Sequence, residues 1–308
     1  MNRVIRFFIA LLCSFFIFTA CSKDDGGTEG NGNTDNDMPG TSVEDNTPRW
    51  ISEVLEYCPA PGQFINTGSG NETAVQSIIG KRGLLSLGGF GGYVIFRFDH
   101  AVINQDGYDF VILGNAFGES SEPGIVSVAV DKNGNGKPDD DEWYELKGSE
   151  YGKPSVTVGY TVTYIKPEDT NSARNIEWTD NLGNSGVVTV NSFHTQCYFP
   201  LFLEGNPDRL VFTGSRLPDN VVIENRMEVL KPVGWGYADN YSEDYTEGDD
   251  NTKNSNKFDI ANAVDASGNS VSLEKIDFVK VCTALHWSSP VIGEASTEIC
   301  GAISLTPR

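Results

Sequence analysis

Between Trp50 and Leu305 no stretch repeats its apolar residues at the 3.6-residue period of a long amphipathic helix. Short runs of β-branched and aromatic residues recur instead, each bounded by Gly, Asn, Asp or Pro. In "YVIFRFDHAV", residues 93–102, Val94, Phe96 and Phe98 alternate with Tyr93, Ile95 and Arg97, so one set faces one side of a sheet and the other set its opposite side. Residues 110–113, 125–130, 143–146, 155–165, 186–190, 210–213, 276–283 and 298–305 also read as strands. The chain is therefore expected to be all-β, a jelly-roll-like β-sandwich with long loops and few short helices.

Two short helical pieces are expected, at 73–79 and in "FDIANAV" at 258–264, where Asp259 is placed to cap. No repeat of 20 to 50 residues recurs, which argues against a propeller or solenoid. Residues 49–308 read as one domain with an elaborated loop at 237–257.

The first twenty residues, "MNRVIRFFIALLCSFFIFTA", hold two arginines, no acids and an apolar run too short to span a bilayer. That is the pattern of a signal peptide. "FTAC" places small residues before Cys21 and resembles the lipobox of bacterial lipoproteins, in which the cysteine is acylated; an ordinary signal peptide with an incidental cysteine is the alternative. "SKDD", residues 22–25, is similar to the acidic signal that sends Bacteroidetes lipoproteins to the cell exterior. Through residue 48 the chain is Gly, Asn, Asp, Thr, Glu and Ser with little to bury, the composition of a solvated tether. The expected localisation is the outer membrane, lipid-anchored and facing outward.

The chain carries 22 Lys and Arg against 43 Asp and Glu, a net of −21. Loss of Arg3 and Arg6 with the signal peptide leaves 20 basic residues against 43 acidic ones, a net of −23. Such a surface repels nucleic acid and anionic lipid. Of six cysteines, Cys58, Cys197, Cys282 and Cys300 remain in the folded part. Cys282 with Cys300 is the favoured disulfide because their strands are close in sequence, leaving Cys58 with Cys197; buried thiols are the alternative.

"DKNGNGKPDDDEW", residues 131–143, fits the calcium-loop pattern D-x-[DN]-x-[DN]-G-x5-E at every defined position: Asp131, Asn133, Asn135, Gly136 and Glu142. Side chains at alternate positions converge on one side of a tight loop. Gly136 permits the reversal, Lys137 offers a carbonyl, and Asp139 with Asp141 or Glu142 supplies the closing carboxylates that hard Ca²⁺ prefers. "IVSVAV" precedes the loop and "WYEL" follows it, so strands replace the helices of a calcium switch and a structural Ca²⁺ is expected. A hydrated turn is the alternative. The second acidic patch, Glu243, Asp244, Glu247, Asp249 and Asp250, lacks such spacing and reads as a solvated loop, while Asp239 and Asn240 in "GYADN" read as a structural turn.

Catalytic motifs are missing: His100, His194 and His286 lie far apart, and there is no G-x-S-x-G, H-E-x-x-H or phosphate loop. "GGFGG", residues 88–92, precedes a strand and reads as a tight turn. A non-enzymatic role follows, with a glycoside hydrolase built on two of the many acids as the lesser alternative. Trp178, Trp235, Tyr237, Tyr241 and Trp287, placed in loops, are the candidate ligand-binding residues, since such rings stack on sugars or flat cofactors.

"YCPAPGQFIN", "YDFVILGNAF", "SEPGIVSVAVDKNGNGKPDDDEWYELKGSEY", "GWGYADN" and "FDIANAVDASGNSVSLEKIDFVKV" together make the chain resemble a family of Bacteroidetes cell-surface lipoproteins. The strand, Asp- and Gly-rich turn, Trp and strand around residue 131 are also similar to the "VSxDGxxW" hairpin of galactose-binding-like jelly rolls. The family resemblance implies non-catalytic capture of an extracellular ligand, a glycan or a corrinoid-like nutrient, beside an outer-membrane receptor. An adhesion module is the second reading.

Overall fold

The computed structural model describes residues 47–118, 120–248 and 251–307. The expected signal peptide, Cys21, most of the tether, and Asp249 and Asp250 of the second acidic patch lie outside the described residues. The described part is nearly all-β, its strands joined by long loops and paired antiparallel throughout the named sheets.

Two sheets form the sandwich. One runs in the order Arg49–Trp50, Gly301–Ser304, Phe110–Leu113, Ser255–Phe258 and Tyr245–Thr246. The other runs Ala263–Val264, Trp143–Leu146, Gly124–Ala129, Phe278–Thr283, Tyr93–Arg97 and Glu53–Cys58. Register lines Val126 beside Val281 and Val281 beside Val94, which stacks branched side chains in a row on one face. These pack with Phe96, Val128 and Val279 against Phe110, Ile112, Phe258 and Ala302 of the first sheet. Phe110 and Phe258 stack at 5.3 Å, and Phe96 meets Phe98 edge-on at 5.8 Å. Each fully buried side chain of this size contributes about 1.5–3 kcal/mol, and this layer is the main source of cohesion.

The alternation expected at 93–102 is present, but the second face is not solvated. Ser185–Val188, Ile176–Asp180, Thr157–Ile165 and Arg209–Arg216 make a third, four-stranded sheet whose inward residues Tyr160, Val162, Tyr164, Ile176 and Phe212 build a second core. Tyr93 and Cys58 of the sandwich pack against that core, with Tyr93 edge-on to Phe212 at 6.4 Å. The sandwich is thus extended by a further layer, and the strands beneath it are apolar on both faces.

The two helical pieces are single 3₁₀ turns, Ala74–Ser77 and Ile260–Asn262. Asp259 caps the second by accepting from the Ala261 amide at 2.8 Å. All four cysteines are thiols, so neither expected disulfide is formed. Cys282 and Cys300 sit in separate apolar clusters, one with Leu285 and Trp287 and the other with Trp50 and Ile303. Burial pushes the Cys58 and Cys282 thiols up to about 11 and Cys300 to about 12, which keeps them protonated and unreactive.

Candidate functional site

Trp178 and Trp287 come together at one edge of the third sheet. Trp178 lies on Ile176–Asp180 opposite Gly186, where a Cβ would approach the indole Cζ2 to 2.6 Å; only glycine lets the ring lie across the neighbouring strand. The chain beyond Phe278–Thr283 then carries His286 against that ring, the Trp178 and His286 centroids 4.4 Å apart in an edge-on arrangement, and Trp287 into the wall of the same cavity. With Phe90, Tyr164, Val188 and Glu294 they line a cavity of about 280 Å³.

Two polar atoms in this wall are buried without a partner: Nε2 of His286 and Oε2 of Glu294. The proton positions follow from what surrounds them. Burial works to raise the Asp180 carboxyl, but hydrogen bonds from Asn184, Tyr160 and Leu182 outweigh it and hold the group below its ordinary value. Asp180 is therefore an acceptor only, and the Tyr160 hydroxyl donates to its Oδ2 at 3.0 Å. With that proton committed, the 2.6 Å contact between Tyr160 and His286 Nδ1 requires Nδ1–H to donate to the phenol oxygen. Nε2 is left as a buried, unpartnered lone pair on a residue that lines the cavity. Burial, aided by the Arg216 guanidinium, lowers His286 to about 4, so the ring is neutral at neutral pH. Burial raises Glu294 to about 8 against the hydrogen bond that its Oε1 accepts from the Gln63 amide at 2.8 Å. Most of the Glu294 population then carries a proton at pH 7.

The loop that fits the calcium pattern is closed by its own backbone. Asp131 accepts from Asn135 N at 3.0 Å and Gly136 N at 2.8 Å; Asn133 and Asn135 both donate through Nδ2 to Asp139 Oδ2, at 2.6 and 2.9 Å. Glu142, 1% exposed, accepts from Lys132 N and Asp139 N, one on each oxygen. Five of the expected residues therefore share one network. Lys137 joins it through its amide, which donates to Asn135 Oδ1 at 2.7 Å; Asp141 is exposed and offers its carbonyl to the Lys132 ammonium. The donor set of carboxylates and side-chain amides is the hard-oxygen kind that Ca²⁺ takes.

A second acidic assembly was not legible in sequence. Glu122, Asp239 and Glu298 bring one carboxyl oxygen each to within 4.8 Å of one another. Asp239, 1% exposed and at φ +54°, accepts from Asn115 N and Ala116 N on Oδ1 and from Glu298 N on Oδ2. Burial pushes it up to about 7, and burial first, then its acidic neighbours, pushes Glu122 and Glu298 well above the carboxylate range. Glu122 Oε1 accepts from Ser296 N at 2.9 Å and Glu298 Oε1 from Ser86 Oγ at 3.2 Å, and the closeness of the three carboxyl groups disfavours full ionisation.

The remaining expected ligand residues are dispersed. Trp235 is 38% exposed and lines a different cavity with Tyr108, Lys147 and Lys257. Tyr237 is a core residue, 3% exposed, whose hydroxyl accepts from the Glu150 amide at 3.1 Å, because Gly148 leaves room for its ring. Tyr241 packs on Tyr245 at 5.0 Å and donates to Glu247. In the second acidic patch, Asp244 is buried and accepts from Gly236 N at 2.9 Å and Asn256 Nδ2 at 3.0 Å, so it is structural where a solvated carboxylate was expected. His286 and Glu294 were missed because nothing in "LHWSSP" or "IGEAS" marks a site; both matter only through partners more than fifty residues away. Compared with protein-family models and with curated proteins, the chain matches none.

Proposed function

We propose that the protein is a non-catalytic lipoprotein of the cell surface that captures a ring-bearing extracellular nutrient, a glycan or a corrinoid-like compound, in the cavity between Trp178 and Trp287. The observation that carries this reading is the pairing of an aromatic wall with two buried, unpartnered polar atoms, His286 Nε2 and Glu294 Oε2. Rings supply the area of a recognition site, and a few convergent polar atoms supply its orientation. The acylated Cys21 and the tether would hold the domain at the outer membrane beside a receptor. Ca²⁺ on Asp131, Asn133, Asn135, Asp139 and Glu142, with the Lys137 carbonyl, would lock the hairpin loop by neutralising its carboxylates.

The test is a binding screen of the purified protein against glycans and corrinoids, with and without a chelator, followed by tryptophan fluorescence and calorimetry. Saturable binding that Trp178→Ala and Trp287→Ala each weaken about tenfold or more supports capture. Binding to intact cells or matrix with no small-ligand hit favours adhesion instead, and turnover of a glycoside would make the protein a hydrolase.

A further inference from the structure

We infer that the cavity between Trp178 and Trp287 selects an uncharged ring that presents a hydrogen-bond donor to Nε2 of His286 and an acceptor to the carboxyl group of Glu294. This deepens the capture reading and rests on it. A buried polar atom without a partner costs about 1–3 kcal/mol, and native proteins keep few of them. Two such atoms stand in the wall of this one cavity. Each has its other polar atom committed: His286 Nδ1 to Tyr160 at 2.6 Å and Glu294 Oε1 to the Gln63 amide at 2.8 Å. A ligand is therefore met by one atom of each side chain, and the two atoms ask for opposite partners. The lone pair on Nε2 needs a donor, fixed by the Asp180–Tyr160 chain behind it. The protonated Oε2 needs an acceptor, because burial keeps Glu294 neutral below about pH 8.

Charge on the ligand has nothing to meet. The residues lining the cavity include no Lys or Arg. Arg216 lies behind Tyr160, 5.1 Å from that ring, where its charge is shared with Asp219 at 3.0 Å. A carboxylate brought into the cavity would lose its hydration without gaining a cation, and would sit near Glu298 and Glu122, whose charges already act on Glu294 or feel it. An ammonium would face a neutral imidazole and a neutral acid. The volume, about 280 Å³, lies at the lower end of ligand cavities and suits a single ring. A neutral pyranose and a lactam or amide-bearing heterocycle share the required chemistry: a ring face for the indoles, and a donor beside an acceptor on its edge.

The experiment compares neutral and charged versions of one ring on the full chain at pH 7, read by tryptophan fluorescence and calorimetry. The probes are galactose, glucose and N-acetylglucosamine, the uronates of the first two, glucosamine as the cationic form, and a lactam-bearing heterocycle as the non-sugar arm. The expected result is that a neutral probe binds and that its charged counterpart binds at least tenfold more weakly. Glu294→Gln, which keeps a donor on the same side chain, should hold affinity for the neutral probe within about threefold. His286→Phe, which keeps the ring and removes the lone pair, should lose about tenfold or more. A uronate or amino sugar binding as tightly as its neutral counterpart, or tenfold loss in Glu294→Gln, overturns the selection rule while leaving capture standing. No binding by any probe or by any compound of the wider screen overturns capture itself.

Discussion

The loop at 131–142 and the assembly of Glu122, Asp239 and Glu298 both gather carboxyl groups, but they resolve the repulsion in opposite ways. In the loop the acids are sequence neighbours, Asp131 and Asp139 half-buried and Glu142 buried, and turned so that backbone amides meet Asp131 and Glu142 and side-chain amides meet Asp139. In the second assembly the acids come from positions 122, 239 and 298, are brought together by the fold, and are pushed above the carboxylate range chiefly by burial. The loop is held in an arrangement that a hard cation would reinforce. The buried assembly is a joint: Asp239 ties the amides of Asn115 and Ala116 to that of Glu298, linking three stretches far apart in the chain.

The largest expected effect of a single substitution separates these roles. Asp239→Ala strips acceptors from three amides at once, two of them buried, and places alanine at φ +54°, where only Gly, Asn and Asp sit easily. At about 1–3 kcal/mol for each orphaned amide, the loss should be about 4 kcal/mol or more by urea unfolding. Asp131→Ala, whose partners Asn135 N and Gly136 N lie in a solvated loop, should cost about 1 kcal/mol in metal-free buffer. Equal losses would show that the joint is no more important than the turn.

On the proposed calcium reading, Ca²⁺ should narrow the gap between the two regions. Ca²⁺ at a hundredfold excess over its dissociation constant should stabilise the parent by about 2.7 kcal/mol, by mass action on the folded state. The same addition should do nothing for Asp131→Ala. A calorimetric titration giving equal heats for the two proteins would remove the loop as the cation site.

How much of this was legible in sequence follows the same division. The hydrogen-bonded loop could be found directly because Asp131, Asn133, Asn135, Asp139 and Glu142 are spaced along one short segment, and the central strands because their runs of β-branched and aromatic residues include Val94, Phe96, Val126 and Val281. The Val221–Glu224 and Met227–Leu230 hairpin turns through Asn225 and Arg226, both at positive φ, without the Asn-Gly pair that announces such a turn. The third sheet was seen as separate strands, yet its effect, covering Tyr93 and Cys58, depends on a packing that no local pattern encodes. Of five aromatic candidates, Trp178 and Trp287 line one cavity and the other three do not, since composition marks a ring but not its neighbours. The acids at 122 and 298 are isolated in sequence and become a site only when strands bring them together.

Acidity offers a third contrast. For Asp239, Glu122, Glu298 and Glu294 the folded state holds protons more tightly than the unfolded chain does. Between the ordinary carboxylate range near pH 4 and the folded values near 7 to 8, the folded state binds more protons, so stability falls as pH rises. Below that window the contribution is fully present. In metal-free buffer, unfolding free energy should drop by several kcal/mol from pH 5 to pH 8, roughly 3 kcal/mol from each of Asp239 and Glu294. Glu298→Gln should flatten that slope. A slope that Glu298→Gln does not touch would place the protons elsewhere.

The smallest effect asks whether the loop's shape is held by backbone strain or by its ligands. Gly136 sits at φ +74°, and a Cβ built there meets nothing within 4 Å, so Gly136→Ala adds no clash and isolates the cost of the left-handed conformation. That cost is about 1 kcal/mol for an L-residue. Gly136→Asn should cost less, since asparagine tolerates this region. Gly124, in the strand beside Glu122, is the counterpart in the buried region. A Cβ there would come within 2.7 Å of Thr297 Cγ2, so Gly124→Ala should cost more than Gly136→Ala despite an ordinary backbone, through packing alone. Thermal unfolding of these three variants orders the two regions by mechanism. If Gly136→Ala proves the more damaging, the loop is rigid before any cation binds, and Ca²⁺ would add affinity to a shape already made.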